Sequence, residues 1–171
     1  DKIGVIFFSD KIEKFIPPKK GKSHILRIIR ELINIEPEQK GTNIELALKY
    51  LTNVIKKKSI CFLISDFKDN NNYSDAMKIA NRKHDVVALR INDKHENTFP
   101  DLGLIKLKDN ETGKLMWVDT SDKAFRKQLE VNHLKFEAQL KDTFTKSGVD
   151  YTTIHTHEGY IKPLMTLFKK R

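Results

Sequence analysis

Cysteine is almost absent: Cys61 is the single one among 171 residues. That excludes an intrachain disulfide and any zinc site built on several thiols. Cys61 lies within the apolar run Ile60-Cys61-Phe62-Leu63-Ile64 and reads as a small buried hydrophobe rather than a nucleophile. Long apolar runs are missing as well, and none approaches the ~20 residues of a membrane-crossing helix. Acid is in deficit, with 23 Asp and Glu against 32 Lys and Arg, a net charge of +9. The surplus suits nucleic acid, an anionic membrane or an acidic protein, without choosing among them. There is no internal repeat and no low-complexity linker, which argues against a solenoid and against a division into separate domains. What the chain does hold is 39% hydrophobic and 32% charged residues, enough for a core beneath a strongly charged surface. It opens Asp1-Lys2-Ile3-Gly4 with neither an initiator Met nor a signal-peptide pattern, and so reads as a stretch of a longer protein.

The run 3–8 is continuous enough to predict a buried, parallel strand. Residues 11–16 read as its short hairpin partner, ended by Pro17-Pro18. Ile25, Ile28, Ile29, Leu32 and Ile33 recur at helical spacing up to Glu36-Pro37. A second helix carries Ile44, Ala47, Leu48, Leu51, Val54 and Ile55 on one face. Residues 60–64 and 86–91 predict further buried strands, with a short helix between them begun by Asn72. Residues 104–107 and 115–118 flank the turn-rich Asp109-Asn110-Glu111-Thr112-Gly113 and predict a hairpin insertion. Phe125, Leu129, Phe136, Leu140 and Phe144 mark a long helix stopped by Gly148. A strand at 149–154 and a terminal helix at 161–168 follow. Residues 92–103 are the longest turn-rich region. Strands alternating with helices predict a doubly wound, mainly parallel α/β sheet covered on both faces.

Several motifs bear on chemistry. Residues 17–24 read P-P-K-K-G-K-S-H, which ends like a phosphate-binding loop but has Ile16 where that motif needs its first glycine. The stretch is therefore a basic loop opening a helix. Residues 60–66 end an apolar strand in an acid, and ligands of open α/β sheets bind at that carboxyl edge, so Asp66 is a candidate. Asp66 and Asp69 together suggest paired carboxylates without a partnered base. Thr42-Asn43-Ile44-Glu45 fits a capping box with Thr42 at the cap. The competing use of Thr42 is as a hydroxyl ligand which, with a carboxylate such as Asp66, suits Mg²⁺. His155, His157 and Glu158 could begin a zinc site but lack a further ligand at matching spacing. His133 is placed on the inner stripe of the long helix as a core histidine. Basic groups at 19–20, 56–58 and 169–171 are not interleaved with aromatics, which offers no specific nucleic-acid signature.

Taken in order, residues 1–10 (D-K-I-G-V-I-F-F-S-D), 15–21 (F-I-P-P-K-K-G), Gly41-Thr42-Asn43 and 62–67 (F-L-I-S-D-F) resemble the bacterial domain-of-unknown-function 58 proteins. Residues 84–90, 117–120 and 148–150 extend the likeness over nearly the whole chain. That family carries a von Willebrand factor type A-like domain. The resemblance implies one partial domain over 1–171, with the hairpin insertion near 104–118. It implies a metal-ion-dependent adhesion site with Thr42 as loop ligand and Asp66 as strand-end ligand, completed by a D-x-S-x-S strand that this sequence does not contain. The missing strand would lie between 3–8 and 60–64, so those two strands are expected either to close up directly or to be bridged by another chain. Also implied are Mg²⁺ in the intact protein, a non-enzymatic role in binding a protein that offers a carboxylate, a MoxR-type AAA+ ATPase as partner in complex assembly, and a cytoplasmic location. A Mg²⁺-dependent phosphoryl-handling enzyme using Asp66 and a basic nucleic-acid-binding domain are the competing expectations.

Overall fold

The computed structural model describes residues 1–38, 41–93, 101–108 and 115–171. The tip of the predicted 109–113 turn and most of the 92–103 region lie outside the described residues. In chain order the elements are β1 (Ile3–Phe8), β2 (Ile12–Lys19), α1 (Lys22–Asn34), α2 (Ile44–Val54), β3 (Ile60–Ser65), α3 (Ser74–Lys83), β4 (Asp85–Asn92), β5 (Leu104–Lys108), β6 (Leu115–Asp119), α4 (Lys123–Ser147), β7 (Asp150–His155) and α5 (Ile161–Lys169). β3, β4 and β7 form a parallel sheet in the order β3-β4-β7, while β1-β2 and β5-β6 are antiparallel pairs.

Each parallel strand returns through a helix, as a parallel connection requires. Leu63 of β3 and Val86 and Ala88 of β4 point into the main core, where Ile44 and Leu48 of α2, Met77 and Ala80 of α3, and Leu140 and Phe144 of α4 meet them. The alternate residues Val87 and Leu89 face the other way, against Leu164 and Leu167 of α5. The β1-β2 hairpin is covered from the same two sides. Phe15 of β2 meets Tyr50 of α2 edge-on, with ring centroids 5.7 Å apart. The adjacent Lys14 points oppositely and ion-pairs with Glu31 of α1 at 2.6 Å. Thus α2, α3 and α4 form one helical layer, and α1 and α5 belong to the other.

Four expectations change. β1 is not a buried parallel strand: it is exposed to half-buried and pairs antiparallel with β2. β2 does not stop at Pro17-Pro18 but runs to Lys19. Its register shifts there, Ile3 facing Lys19 and Val5 facing Ile16, so the prolines occupy a bulge on an edge strand where their missing N–H groups cost no ladder bond. Gly4 lies opposite the bulge, and a Cβ there would sit 2.8 Å from the Ile16 carbonyl oxygen. β3 is not buried on both faces: Ile60, Phe62 and Ile64 are 63%, 46% and 58% exposed. Finally, β1 and β3 do not close up; they belong to separate sheets, and among the described residues neither has a ladder partner on its second edge.

Candidate functional site at the carboxyl rim

The carboxyl ends of β1 and β3 and the start of α2 meet at one rim. The Asn43 N–H donates to the Ser9 carbonyl just past β1, at 2.8 Å. The Ile44 N–H donates to Asp69 Oδ2 just past β3, at 2.7 Å. The Gly41-Thr42-Asn43 loop is therefore tied to both strand ends, and Thr42 and Asp66 lie on neighbouring loops of the same edge.

The helix cap explains what Thr42 is free to do. Asn43, not Thr42, caps α2: its Oδ1 accepts from the Leu46 N–H at 2.8 Å. The capping box expected at Thr42 is thus displaced by one residue. The amide oxygen of Asn reaches the third N–H of the helix as well as a threonine hydroxyl does. Thr42 is half-buried, and among the described residues its hydroxyl has no hydrogen-bond partner.

Asp66 is held by its neighbours. Ser65 Oγ accepts from the Phe67 N–H at 3.0 Å, and Asp66 Oδ1 accepts from the Lys68 N–H at 3.1 Å. Phe67 takes a φ of 63°, a left-handed conformation uncommon for an aromatic residue. It is fully buried and packs edge-on against Phe144, centroids 5.1 Å apart, and against Tyr73. That packing secures the bend that leaves Asp66 at the rim. Its second carboxylate oxygen has no hydrogen-bond partner among the described residues. Asp69 is committed to structure instead, accepting from the Ile44 N–H and, at 2.8 Å each, from the backbone and side-chain N–H groups of Asn71. It is no partner for Asp66 in a carboxylate pair. Beside the rim runs a cleft of about 440 Å³ between the 67–74 loop and α4, lined by Asp69, Asn71, Tyr73, Gln139 and Thr143 among others. Burial, reinforced by Asp69, pushes the Tyr73 phenol up to about 12, so it remains a protonated donor.

Two buried groups escaped the sequence reading. Arg90 of β4 pairs in register with Ser65 and is 3% exposed. Its guanidinium ion-pairs with Glu137 of α4 and lies over the Phe136 ring, 5.3 Å from the centroid. An arginine interrupting the run Val86-Val87-Ala88-Leu89 was the available signal. His84 is the core histidine, 1% exposed, with Nδ1 3.1 Å from Ser59 Oγ. Burial, then the neighbouring Lys83, holds its imidazole below the usual 6.5. His133, expected in that role, is instead partly exposed beside Glu137 at 3.6 Å.

His155 ends β7 and His157 lies in the turn after it, with ring centroids 5.6 Å apart, and His157 Nε2 is 3.5 Å from Glu158 Oε1. Among the described residues no three His, Cys, Asp or Glu side chains are grouped to hold a metal ion. Residues 17–24 form the end of β2, a turn with Gly21 at φ 111° and the start of α1. Cys61 is inert, its thiol pushed up to about 11 by burial. No helix among the described residues is long and apolar enough to cross a membrane.

The whole chain superposes on an aerotolerance-related membrane protein from Bacteroides fragilis with a TM-score of 0.57 and 15% identity, covering 80% of that chain. BatB from Bacteroides thetaiotaomicron is similar at a TM-score of 0.56 and 15% identity, over 99% of this chain and 78% of that one. These likenesses show a shared α/β fold and nothing finer. In sequence, the chain is 22% identical over 158 residues to the uncharacterized protein MAV169 of Mycobacterium avium, covering 91% of this chain and 93% of that protein. It is 18% identical over 173 residues to the uncharacterized protein Rv1480 of Mycobacterium tuberculosis, and spans about half (54%) of that longer relative. The family model described as "Protein of unknown function DUF58" matches residues 1–139, and the chain belongs to that family.

Proposed function

We propose that the carboxyl rim is a protein-docking site, with Thr42 and Asp66 as its central ligands and no catalytic turnover. One observation carries this reading. Among the described residues, the Thr42 hydroxyl and one Asp66 carboxylate oxygen, on loops joined through Ile44 and Asp69, have no hydrogen-bond partner, while Asn43, Ile44 and Asp69 beside them are hydrogen-bonded. Polar atoms unpaired within a well-paired loop cluster suit an external ligand.

Mg²⁺ takes about six oxygens in near-octahedral geometry. One hydroxyl and one carboxylate do not complete that set, so this chain alone is not a Mg²⁺ site. A metal-assisted mode is proposed only for a longer polypeptide that supplies further oxygens, with the partner's carboxylate as the last. The partner class we propose is a MoxR-type AAA+ ATPase, in complex assembly. The net charge of +9 favours encounter with an acidic surface, mostly through the association rate. A cytoplasmic location belongs to the same proposal: the half-buried, protonated Cys61 needs no oxidising compartment.

Binding of a MoxR-type ATPase from the same genome to the immobilised protein tests the proposal. Thr42→Ala combined with Asp66→Asn is expected to weaken it at least tenfold. A control substitution on the far side, Lys57→Ala, is expected to leave it unchanged. Equal binding by all three would remove the rim as the interface. Mn²⁺ titration of a longer family polypeptide separates the metal question: if neither rim substitution changes its affinity, docking there does not run through a metal.

A further inference from the structure

We propose that the cavity bounded by β4, β7 and α4 binds a small organic monocarboxylate, anchored by the Arg90 guanidinium, with Glu137 as the internal carboxylate that the ligand displaces.

Arg90 is a buried cation with donors to spare. It is 3% exposed, and its Nε–H is closed off from solvent without a hydrogen-bond partner. Glu137 takes only Nη1, and the Phe136 ring lies 5.3 Å from the guanidinium carbon. A guanidinium carries five N–H donors in a planar fork, so one acceptor at Nη1 leaves most of the fork unused. An interior donor without a partner loses its hydration and gains nothing for it, which suits a ligand brought from outside. The edge that includes Nε is the one a planar carboxylate meets with two parallel N–H···O bonds.

Beside Arg90 the cavity holds about 200 Å³, space for a ligand of a few heavy atoms. Lys141 follows Glu137 by four residues on α4, stands on the same face and lines the cavity as a second cation. Thr153 of β7 pairs in register with Arg90 and brings a hydroxyl to the same face of the sheet. Leu140 and the Tyr151 ring, which packs on Phe144 with centroids 4.6 Å apart, form an apolar wall. A cationic floor with one apolar side matches a carboxylate attached to a short hydrocarbon. Two cations against the single Glu137 leave one positive charge, which a monoanion neutralises and a phosphate dianion overshoots.

Glu137 is placed to give way. Its side chain is 39% exposed at the edge of the cavity, and His133 Nε2 on the preceding turn is 3.6 Å from the same carboxylate. A change of rotamer therefore exchanges Arg90 for His133 or solvent without moving α4.

The test titrates the protein with propionate at constant ionic strength and follows backbone amide shifts at Arg90, Lys141 and Thr153. Saturable shifts are expected in the parent. Glu137→Gln is expected to tighten binding at least fivefold, because it removes the competing charge. Lys141→Ala is expected to weaken it at least threefold, and Arg90→Gln to abolish it with the amide spectrum still dispersed. If Arg90→Gln does not fold, the opposite signs expected for Glu137→Gln and Lys141→Ala decide the matter. The absence of saturable shifts in both the parent and Glu137→Gln would overturn the proposal and leave Arg90–Glu137 a structural ion pair. Inorganic phosphate or chloride binding as tightly as propionate would overturn it as well.

Discussion

At the scale of single residues, the displacement of the α2 cap from Thr42 to Asn43 leaves the Thr42 hydroxyl out of the helix cap. Both residues suit a cap and stand side by side, so spacing to Glu45 favoured the wrong one. Only the backbone at Asn43, with its side chain reaching Leu46, settles it. Asn43→Ala is expected to cost about 1 kcal/mol in urea unfolding, the usual penalty for a lost cap. Thr42→Ala should stay within about 0.5 kcal/mol of the parent, as for a surface change that breaks no bond. His84 supplies a pH signature. Its folded-state imidazole titrates below the ordinary 6.5, so between those two values the unfolded chain binds the extra proton. Stability therefore rises with pH across that window and falls as the medium is acidified below about 6.5. His84→Gln is expected to flatten that part of the curve between pH 7.5 and 5, measured by denaturant midpoint at each pH. The sequence hid His84 because a histidine between a helix and a strand carries no period. Asp66 was legible because an acid ending an apolar strand has a fixed address in α/β sheets.

At the scale of elements, periodicity located nearly every helix and strand, since amphipathic spacing is imposed by burial itself. It did not reveal which strands were covered. A continuous apolar run is the mark of a strand buried on both faces, and β3 has that run while one of its faces is open. The run reports the composition of the strand, and burial depends on which elements pack over it. Pro17-Pro18 misled for a related reason: proline stops a central strand but is admitted at a bulge. The end of α4 was legible because Gly148 serves there for a backbone reason. Its φ of 64° is left-handed, and its N–H closes the last turn onto Phe144 and Thr145. Gly148→Ala is expected to destabilise by about 1 kcal/mol in thermal or urea unfolding. The exposed side of the molecule would be unaffected, since the nearest neighbour to the new Cβ is Asn81 Nδ2 at 3.6 Å.

At the scale of the whole molecule, the α/β architecture followed from alternating strands and helices, but the break between sheets did not. Loop composition between 35 and 59 gives no sign that β1 and β3 stand apart. The consequence is an apolar surface carried by α1, β3 and α5 together. Replacing Phe62 and Ile64 by Lys is expected to lower binding of a hydrophobic dye and any concentration-dependent association. The melting temperature should stay within a few degrees, because β3 keeps its ladder to β4 and its buried Leu63. A fall of more than ten degrees would mean that this face already packs within the fold.

The double proline of β2 fixes the direction of growth. Two imino acids at its bend deprive the hairpin's outer flank of the donors a neighbour would need. Along those last residues β2 can offer no ladder to a neighbour, so among the described residues the flank of the hairpin that keeps its full set of backbone donors is that of β1.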